Sequence, residues 1–245
     1  MSFFGINKSQ SPIPTLKEAV KKGDPIAVDT LLKLDPKITQ EEKDYALYYA
    51  TYNNNPEIIV LLLEKGADVN AKEGYNLTPL HAASKRHPNP KVAALLIEKG
   101  ADVNAKDEYN LTPLHHAAGG GRTQIAALLL EKGSDVNAKD NEERTPLHLA
   151  ARYELTEFAA LILAVSPEAA SAENNGGTAI DLSRLVGLDA AIVRAAASPA
   201  VAAAAARRRM SAMAARLKAR QSRRGGKRKI TKRATWRRRR YSRRR

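Results

Sequence analysis

Cysteine is absent from the 245-residue sequence. Its absence excludes disulfide bonds, thiolate zinc sites and cysteine nucleophiles, and it suits a reducing compartment. Long apolar runs are also missing. The N-terminal stretch MSFFGINKSQSPIPT lacks the apolar core of a signal peptide, and no later segment approaches the roughly 20 apolar residues that cross a bilayer. We therefore expect a soluble, intracellular protein without a membrane span.

Catalytic motifs are missing as well. The sequence contains no glycine-rich phosphate loop, no H-E-x-x-H and no G-x-S-x-G. The glycine run at 119–121 follows a predicted helix rather than a strand, so we expect it to form a turn between helices. These absences predict a protein that is not an enzyme and that uses no cofactor or metal.

Acidic residues are absent from the last 45 residues, which hold 20 of the 41 lysines and arginines. Residues 1–200 keep the other 21 basic residues and all 26 acidic ones, so the tail carries +20 and the body −5. A charge asymmetry of this kind is typical of a polyanion-binding arm attached to an ordinary domain.

The body of the chain is an internal repeat. The stretches NLTPLHAAS (76–84), NLTPLHHAA (110–118) and ERTPLHLAA (143–151) recur with a period of 34 and then 33 residues. Between them EKGADVNAK (64–72 and 98–106) and EKGSDVNAK (131–139) recur in the same phase. The chain thus resembles the ankyrin repeat family, whose unit of about 33 residues carries T-P-L-H-x-A.

Weaker copies extend the array in both directions, and the resemblance implies an all-α ankyrin-repeat solenoid. We expect about six helix-turn-helix units with β-hairpin loops over residues 14–197, with divergent end units. We expect four parts: an N-terminal extension (1–13), the repeat domain (14–197), an Ala/Arg-rich basic helix (198–222) and a disordered arginine-rich tail (223–245).

Local signals explain the unit. The threonine of each T-P-L-H is predicted to cap a helix, with proline at the first helical position. A glycine after each second helix, at 66, 100 and 133, is predicted to adopt a left-handed conformation. The loop turns place Asn76, Asn110 and Gly176 where positive φ is needed. Glu143 occupies the equivalent position of the fifth unit, so we expect a strained or altered turn there.

The histidines are predicted to be structural. His81, His115 and His148 occupy the same place in successive repeats, so they form a column spaced by the helix packing distance, too wide for one metal site. In ankyrin units this histidine hydrogen-bonds near the capping threonine. His116 and His87 fall outside the column, and we expect neither to join a site.

Recognition is the function that remains for the body. Loop tips and the solvent-facing starts of the first helices line the concave surface of a solenoid, and tyrosine and arginine are favoured at interfaces. The alternative is that the candidate residues are ordinary surface, with Leu77 and Leu111 packed on neighbouring hairpins. The candidate protein-binding residues are Tyr75, Leu77, Lys85, Arg86, Tyr109, Leu111, Arg144, Arg152 and Tyr153.

The tail supports two interpretations. Arginine clusters with interleaved aromatic rings suit phosphate contact and stacking on unpaired bases, without sequence selectivity. The spacing of two basic clusters also fits a bipartite nuclear import signal, and both interpretations can hold. The residues involved are Arg223, Arg224, Lys227, Arg228, Lys229, Lys232, Arg233, Trp236, Arg237, Arg238, Arg239, Arg240 and Tyr241.

Four hydroxyls of the tail follow two basic residues at −3 and −2, the preference of basophilic kinases: Ser211, Thr231, Thr235 and Ser242. Phosphates at all four would remove roughly 6 to 8 of the positive charges and weaken polyanion binding.

Together these patterns predict a monomeric protein-interaction scaffold with a basic arm that contacts nucleic acid or directs nuclear import. The alternative is a virion or chromatin-like packaging protein whose repeats mediate assembly. The GGKRK opening and the arginine runs of the tail are similar to the C-termini of proteins from large DNA viruses. A nuclear or virion location is therefore favoured over the cytoplasm.

Overall fold

The computed structural model describes residues 15–87, 89–171, 205 and 207. Within these ranges the chain forms ten α-helices and a closing 3₁₀ helix at Pro167–Ser171. The helices, in chain order, are α1 (Leu16–Lys22), α2 (Pro25–Leu34), α3 (Gln40–Tyr52), α4 (Pro56–Glu64), α5 (Pro79–Arg86), α6 (Lys91–Glu98), α7 (Pro113–Gly120), α8 (Thr123–Glu131), α9 (Pro146–Arg152) and α10 (Thr156–Val165).

The helices pack as five pairs in two layers. The first helices of the pairs, α1, α3, α5, α7 and α9, each contact the next one in that order, and we call them the inner helices. Their partners form the outer layer, in which α2 packs on α4 and α8 on α10. The all-α repeat architecture expected from the sequence is confirmed. The sixth unit, predicted at 176–197, lies outside the described residues.

The core follows the repeat. Each inner helix from α3 to α9 buries a leucine and, three residues later, an alanine with no more than 1% of its surface exposed. Because the alanine side chain is a single methyl group, neighbouring inner helices approach closely, and the aliphatic residues of the outer helices fill the space behind them. The leucine–alanine pairs are Leu47 and Ala50, Leu80 and Ala83, Leu114 and Ala117, and Leu147 and Ala150.

The helix ends follow the predicted local signals. Thr78, Thr112 and Thr145 are extended N-cap residues, each followed by proline in the first turn. The glycines at 66, 100 and 133 have φ of 86°, 94° and 96°, the left-handed conformation that ends a helix. The lysine before each of these glycines is the C-cap residue, just beyond the last helical turn.

The loops between units are tight turns that carry little β structure. Within the described ranges the one β-bridge pairs Glu73 with Leu77, so the predicted β-hairpins are reduced to their turns. The turn positions nevertheless have positive φ as expected: 58° at Asn76, 57° at Asn110 and 59° at Glu143. Asparagine tolerates the left-handed conformation because its short side chain can hydrogen-bond locally, whereas a glutamate there costs roughly 1–2 kcal/mol, so the turn at Glu143 is more strained than those at Asn76 and Asn110.

Asparagines join successive outer loops. The Asn70 side chain donates to the carbonyl oxygen of Gly100 (3.1 Å) and accepts from the Asp102 amide (2.8 Å). Asn104 repeats this pattern one unit later, with Gly133 (3.3 Å) and Asp135 (2.8 Å). These bonds satisfy loop backbone groups and set the register between neighbouring units.

The glycine run at 119–121 differs from the prediction. Gly119 and Gly120 belong to the last turn of α7, and only Gly121, with φ of 64°, forms the left-handed end of the helix. A Cβ atom added to Gly120 would lie 2.6 Å from the carbonyl oxygen of Lys85, whereas one added to Gly119 would have no neighbour within 4 Å. Gly120 is therefore required by the close approach of α5 and α7.

These neighbouring glycines provide a matched pair of variants. We expect Gly120→Ala to lower the free energy of unfolding by about 2 kcal/mol, because the backbone of α5 must move to accept the methyl group. Gly119→Ala should leave stability unchanged or raise it by roughly 0.5–1 kcal/mol, since alanine is the better helix former. Urea unfolding measures both, and equal effects of the two substitutions would contradict the proposed contact.

Two further observations concern a contact of the predicted basic helix and the lengths of the described helices. Ala205 and Arg207, from the predicted basic helix, are helical, and the Arg207 guanidinium donates to the carbonyl of Glu131 at the end of α8. None of the helices in the described part of the chain has the length and apolar character needed to cross a membrane.

Candidate functional site

The loops that precede the inner helices present a continuous surface, which we call the concave face. Buried aspartates hold the loops in shape: Asp107 Oδ1 accepts from the amides of Tyr109 and Leu111, both at 2.9 Å. Asp140 does the same for Glu142 and Arg144 in the next unit, at 2.9 and 2.8 Å. The loop tips are therefore ordered before any partner arrives.

Tyrosines stand at these tips. Tyr75 and Tyr109 are 60% and 50% exposed, and their ring centroids are 6.1 Å apart. The Glu108 amide donates to the Tyr75 carbonyl, and the Asn141 amide donates to the Tyr109 carbonyl, both at 3.0 Å. Hydrogen bonds between successive loops thus hold the two rings side by side.

The other predicted contact residues differ in availability. Leu77 and Leu111 are only partly exposed, so each offers a partner less surface than a fully exposed contact residue would. The guanidinium of Arg144 is bound by Asp140 and Glu142, each at 2.8 Å, so its charge is already compensated. Arg152 and Tyr153 are exposed at the end of α9.

A cavity of about 470 Å³ opens on the concave face between α3, α5 and α7. It brings together three predicted residues with side chains that the sequence analysis missed, among them Tyr48, Tyr52, His116 and Arg122. The complete lining is Tyr48, Tyr52, Leu77, His81, Ala82, Lys85, Arg86, His116 and Arg122.

The tyrosines of this cavity belong to a cluster on α3. Tyr45, Tyr48, Tyr49 and Tyr52 follow the i, i+3, i+4, i+7 spacing of one helix face, a signal in the sequence that could have identified them. Tyr45 and Tyr49 lie with ring centroids 4.3 Å apart, and Tyr48 and Tyr52 stack at 6.5 Å. A hydrogen bond with Tyr45, followed by burial, raises the pKa of Tyr49 to about 12.

Cations cover both ends of the tyrosine cluster. Lys17 Nζ lies 4.6 Å from the Tyr45 ring centroid, and the Arg86 guanidinium lies 4.0 Å from that of Tyr52. Arg86 Nη1 also donates to Tyr52 Oη at 2.6 Å. The rings therefore form a surface that already binds cationic groups.

The histidine column has the structural role that was expected. His81 Nε2 lies 3.1 Å from the Leu111 carbonyl oxygen, and Nδ1 lies 3.1 Å from the Thr78 amide nitrogen. Because a carbonyl only accepts, Nε2 carries the proton and Nδ1 accepts from the capping threonine. His115 repeats this arrangement with Arg144 and Thr112.

Both rings are held neutral. Burial, reinforced by the neighbouring His116, lowers the pKa of His81 to about 4. Burial lowers the pKa of His115 to about 4 as well. Each ring thus joins a helix cap to the next loop as an uncharged hydrogen-bonding group.

Of the other two histidines, His116 lies in the candidate site, contrary to the expectation, whereas His87 is not among the residues that line the cavity. His116 lines the cavity, where its Nε2 lies 2.8 Å from Asp107 Oδ2 and its ring packs edge-on against His81 at 5.1 Å. His87 Nε2 lies 2.7 Å from the Tyr52 carbonyl oxygen. Burial acts to raise the pKa of Asp107, but the hydrogen bond from His116 and those from the backbone keep it below its usual range.

The described residues contain no group of three or more His, Cys, Asp or Glu side chains that could hold a metal ion. The residues of the basic tail that were predicted to bind nucleic acid or an import receptor, and the four candidate phosphorylation sites, lie outside the described residues.

In the described part of the chain, five stacked helix pairs with an ordered, tyrosine-bearing face define a helical-repeat protein. A family model of ankyrin repeats in three copies matches residues 16–107 and 89–175, which together span 160 of the 245 residues. The chain belongs to the ankyrin repeat family. A search of the curated proteins found no match. Ankyrin repeat proteins are in general non-enzymatic modules that bind other proteins, so the family supports a protein-interaction scaffold.

Proposed function

We propose that the concave face binds a partner protein chiefly through Tyr75 and Tyr109, with the charged and apolar residues around the cavity completing the contact. The paired, exposed tyrosines at the loop tips carry this proposal. More than half of the Tyr75 surface is open to solvent, and backbone hydrogen bonds between the loops fix its position. Tyrosine is among the residue types that contribute most to interface energies.

Preorganisation supports the same function. Asp107 and Asp140 hold the loops through hydrogen bonds to their backbone amides, so little conformational entropy is lost when the loops meet a partner. The tips are therefore suited to binding without rearrangement.

Alanine substitution tests the proposed face. We expect Tyr75→Ala and Tyr109→Ala each to raise the Kd for a partner isolated from the native source by about 30-fold, the effect of losing a hot-spot residue of about 2 kcal/mol. Binding is measured by titration of the purified pair. Circular dichroism should show an unchanged fold, since neither side chain lies in the core.

Ile26 and Leu34 provide the matched control. Both are exposed apolar residues on the outer helix α2, at 77% and 76%. The double variant Ile26→Ala/Leu34→Ala should bind the partner as the wild type does. Loss of binding in this control, with binding retained by the tyrosine variants, would move the interface to the outer layer and refute the proposal.

The basic arm supports a second element of the function, contact with nucleic acid or with an import receptor. Residues 201–245 carry 20 positive charges and no negative one, with Trp236 and Tyr241 among the arginines. Guanidinium groups form forked hydrogen bonds with phosphate oxygens, and aromatic rings stack on unpaired bases. The repeats would select the partner and the arm would hold the pair at an anionic site. Nucleic-acid binding that requires the arm and weakens with salt tests this element.

A further inference from the structure

The cavity on the concave face is cationic, although the body of the chain is acidic. Lys85, Arg86 and Arg122 line it, and no carboxylate residue is among its lining residues. Residues 1–200 carry a net charge of −5. The three positive charges around this cavity of about 470 Å³ therefore have the opposite sign to the net charge of the domain.

The two arginines are held in place by groups that leave their charge uncompensated. Arg122 Nε and Nη2 donate to the carbonyl oxygens of Lys85 and Arg86 at 3.2 and 3.0 Å, across the close contact of α5 and α7. Arg86 lies on the Tyr52 ring. Among the ion pairs formed within the described residues, none includes Lys85, Arg86 or Arg122. The cavity thus presents hydrogen-bond donors in fixed positions, and an anion could bind to their uncompensated positive charge.

The size and lining of the cavity favour a short segment of protein. Its volume falls within the range of roughly 300–1,000 Å³ that is typical of small binding pockets. Leu77, Ala82 and Tyr48 add apolar surface beside the cations. A side chain with a carboxylate and an adjacent apolar residue would satisfy both parts of the lining.

Nucleic acid fits the cavity less well. A strand carries one phosphate per nucleotide and must run past the cavity in both directions, over a body whose net charge is −5. A segment with one or two carboxylates meets the cations without extending a row of charges over that body.

We infer that this cavity receives carboxylate side chains of an acidic segment of the partner protein. Lys85 is the exposed charge that meets the segment, and Arg86 and Arg122 are the fixed donors. The inference rests on the proposed function, because it specifies which chemistry of the partner the concave face recognises.

Charge reversal in the full-length protein tests the inference. The probe is a fluorescein-labelled peptide that carries two glutamates among leucine and alanine residues, with the same peptide carrying glutamine for glutamate as its counterpart. We expect Lys85→Glu to raise the Kd of the acidic peptide about tenfold. The matched control Lys99→Glu changes an exposed lysine on the outer layer and should alter the Kd less than about twofold. The basic arm is identical in both proteins, so a difference between their Kd values comes from the substituted lysine.

Arg86→Gln provides a second variant that keeps the side chain long and removes the charge. It should also raise the Kd of the acidic peptide. Carbodiimide coupling followed by mass spectrometry should join peptide carboxylates to Lys85 in larger yield than to Lys99. Equal effects of the two charge reversals, equal binding of the glutamine peptide, or no binding of the acidic peptide would overturn the inference. The inference would also be overturned if Lys85→Glu weakened the binding of a labelled single-stranded oligonucleotide more than Lys99→Glu did.

The native partner separates this inference from the proposed function. If Tyr75→Ala and Tyr109→Ala abolish partner binding and Lys85→Glu does not, the acidic segment is excluded and the concave face is retained. If none of these three substitutions affects the partner, the proposed function itself is refuted.

Discussion

Acidification from pH 7 to pH 5 is expected to lower the free energy of unfolding by about 4 kcal/mol through His81 and His115. The pKa of both is lowered to about 4 in the folded protein, from an ordinary value of 6.5. The unfolded chain therefore binds more protons below pH 6.5. The stability that the two rings contribute is fully present above that pH and is lost as the pH falls toward 4.

The physical cause is the role of Nδ1. Protonation would remove the acceptor that the Thr78 and Thr112 amides use and would place a charge in a buried site. Glu73 acts in the opposite direction at the lower end of this range, because burial and the charges of Asp44 and Glu41 raise its pKa. Its contribution therefore opposes that of the histidines.

Urea unfolding at pH 7, 6 and 5 measures the effect. The double variant His81→Gln/His115→Gln is expected to be less stable at pH 7 and to show a much flatter dependence on pH. If the variant and the wild type lose stability in parallel between pH 7 and 5, other groups must be responsible.

The second large effect concerns the basic arm and salt. We expect the full-length protein to bind duplex and single-stranded nucleic acid with an affinity that falls roughly 10³ to 10⁵-fold between about 50 and 200 mM salt, as for 6 to 10 phosphate contacts. Residues 1–200, with a net charge of −5, should bind neither. Fluorescence anisotropy across a salt series measures both proteins.

A graded control identifies the contacts. Replacing the four arginines at 237–240 with glutamine removes four charges and keeps the chain length, so the slope of log affinity against log salt should fall by roughly one for each arginine that contacts a phosphate. If neither protein binds at physiological salt, the arm does not bind nucleic acid and import is the remaining function. Nuclear exclusion of a fluorescent fusion after substitution of Arg223 and Arg224 would then support the import signal.

The sequence by itself determined the repeat and its local chemistry. Capping threonines, first-turn prolines and left-handed glycines act within a few residues of the chain, so a pattern that recurs every 33 or 34 residues identifies each unit and its ends. The role of the histidines followed from the resemblance to ankyrin units, and the structure shows that Nδ1 of His81 binds a threonine only three residues away. The strained turn at Glu143 followed from its position in the repeat.

Only the tertiary structure decided which side chains meet on the concave face. Tyr52, Arg86 and Arg122 are separated by more than 30 residues each and come together because α3, α5 and α7 stack. The close contact at Gly120 likewise depends on how α5 and α7 pack against each other. Periodicity specifies the frame that all units share. The residues at exposed positions vary from unit to unit. Which of them lie next to one another depends on how each unit packs on the next.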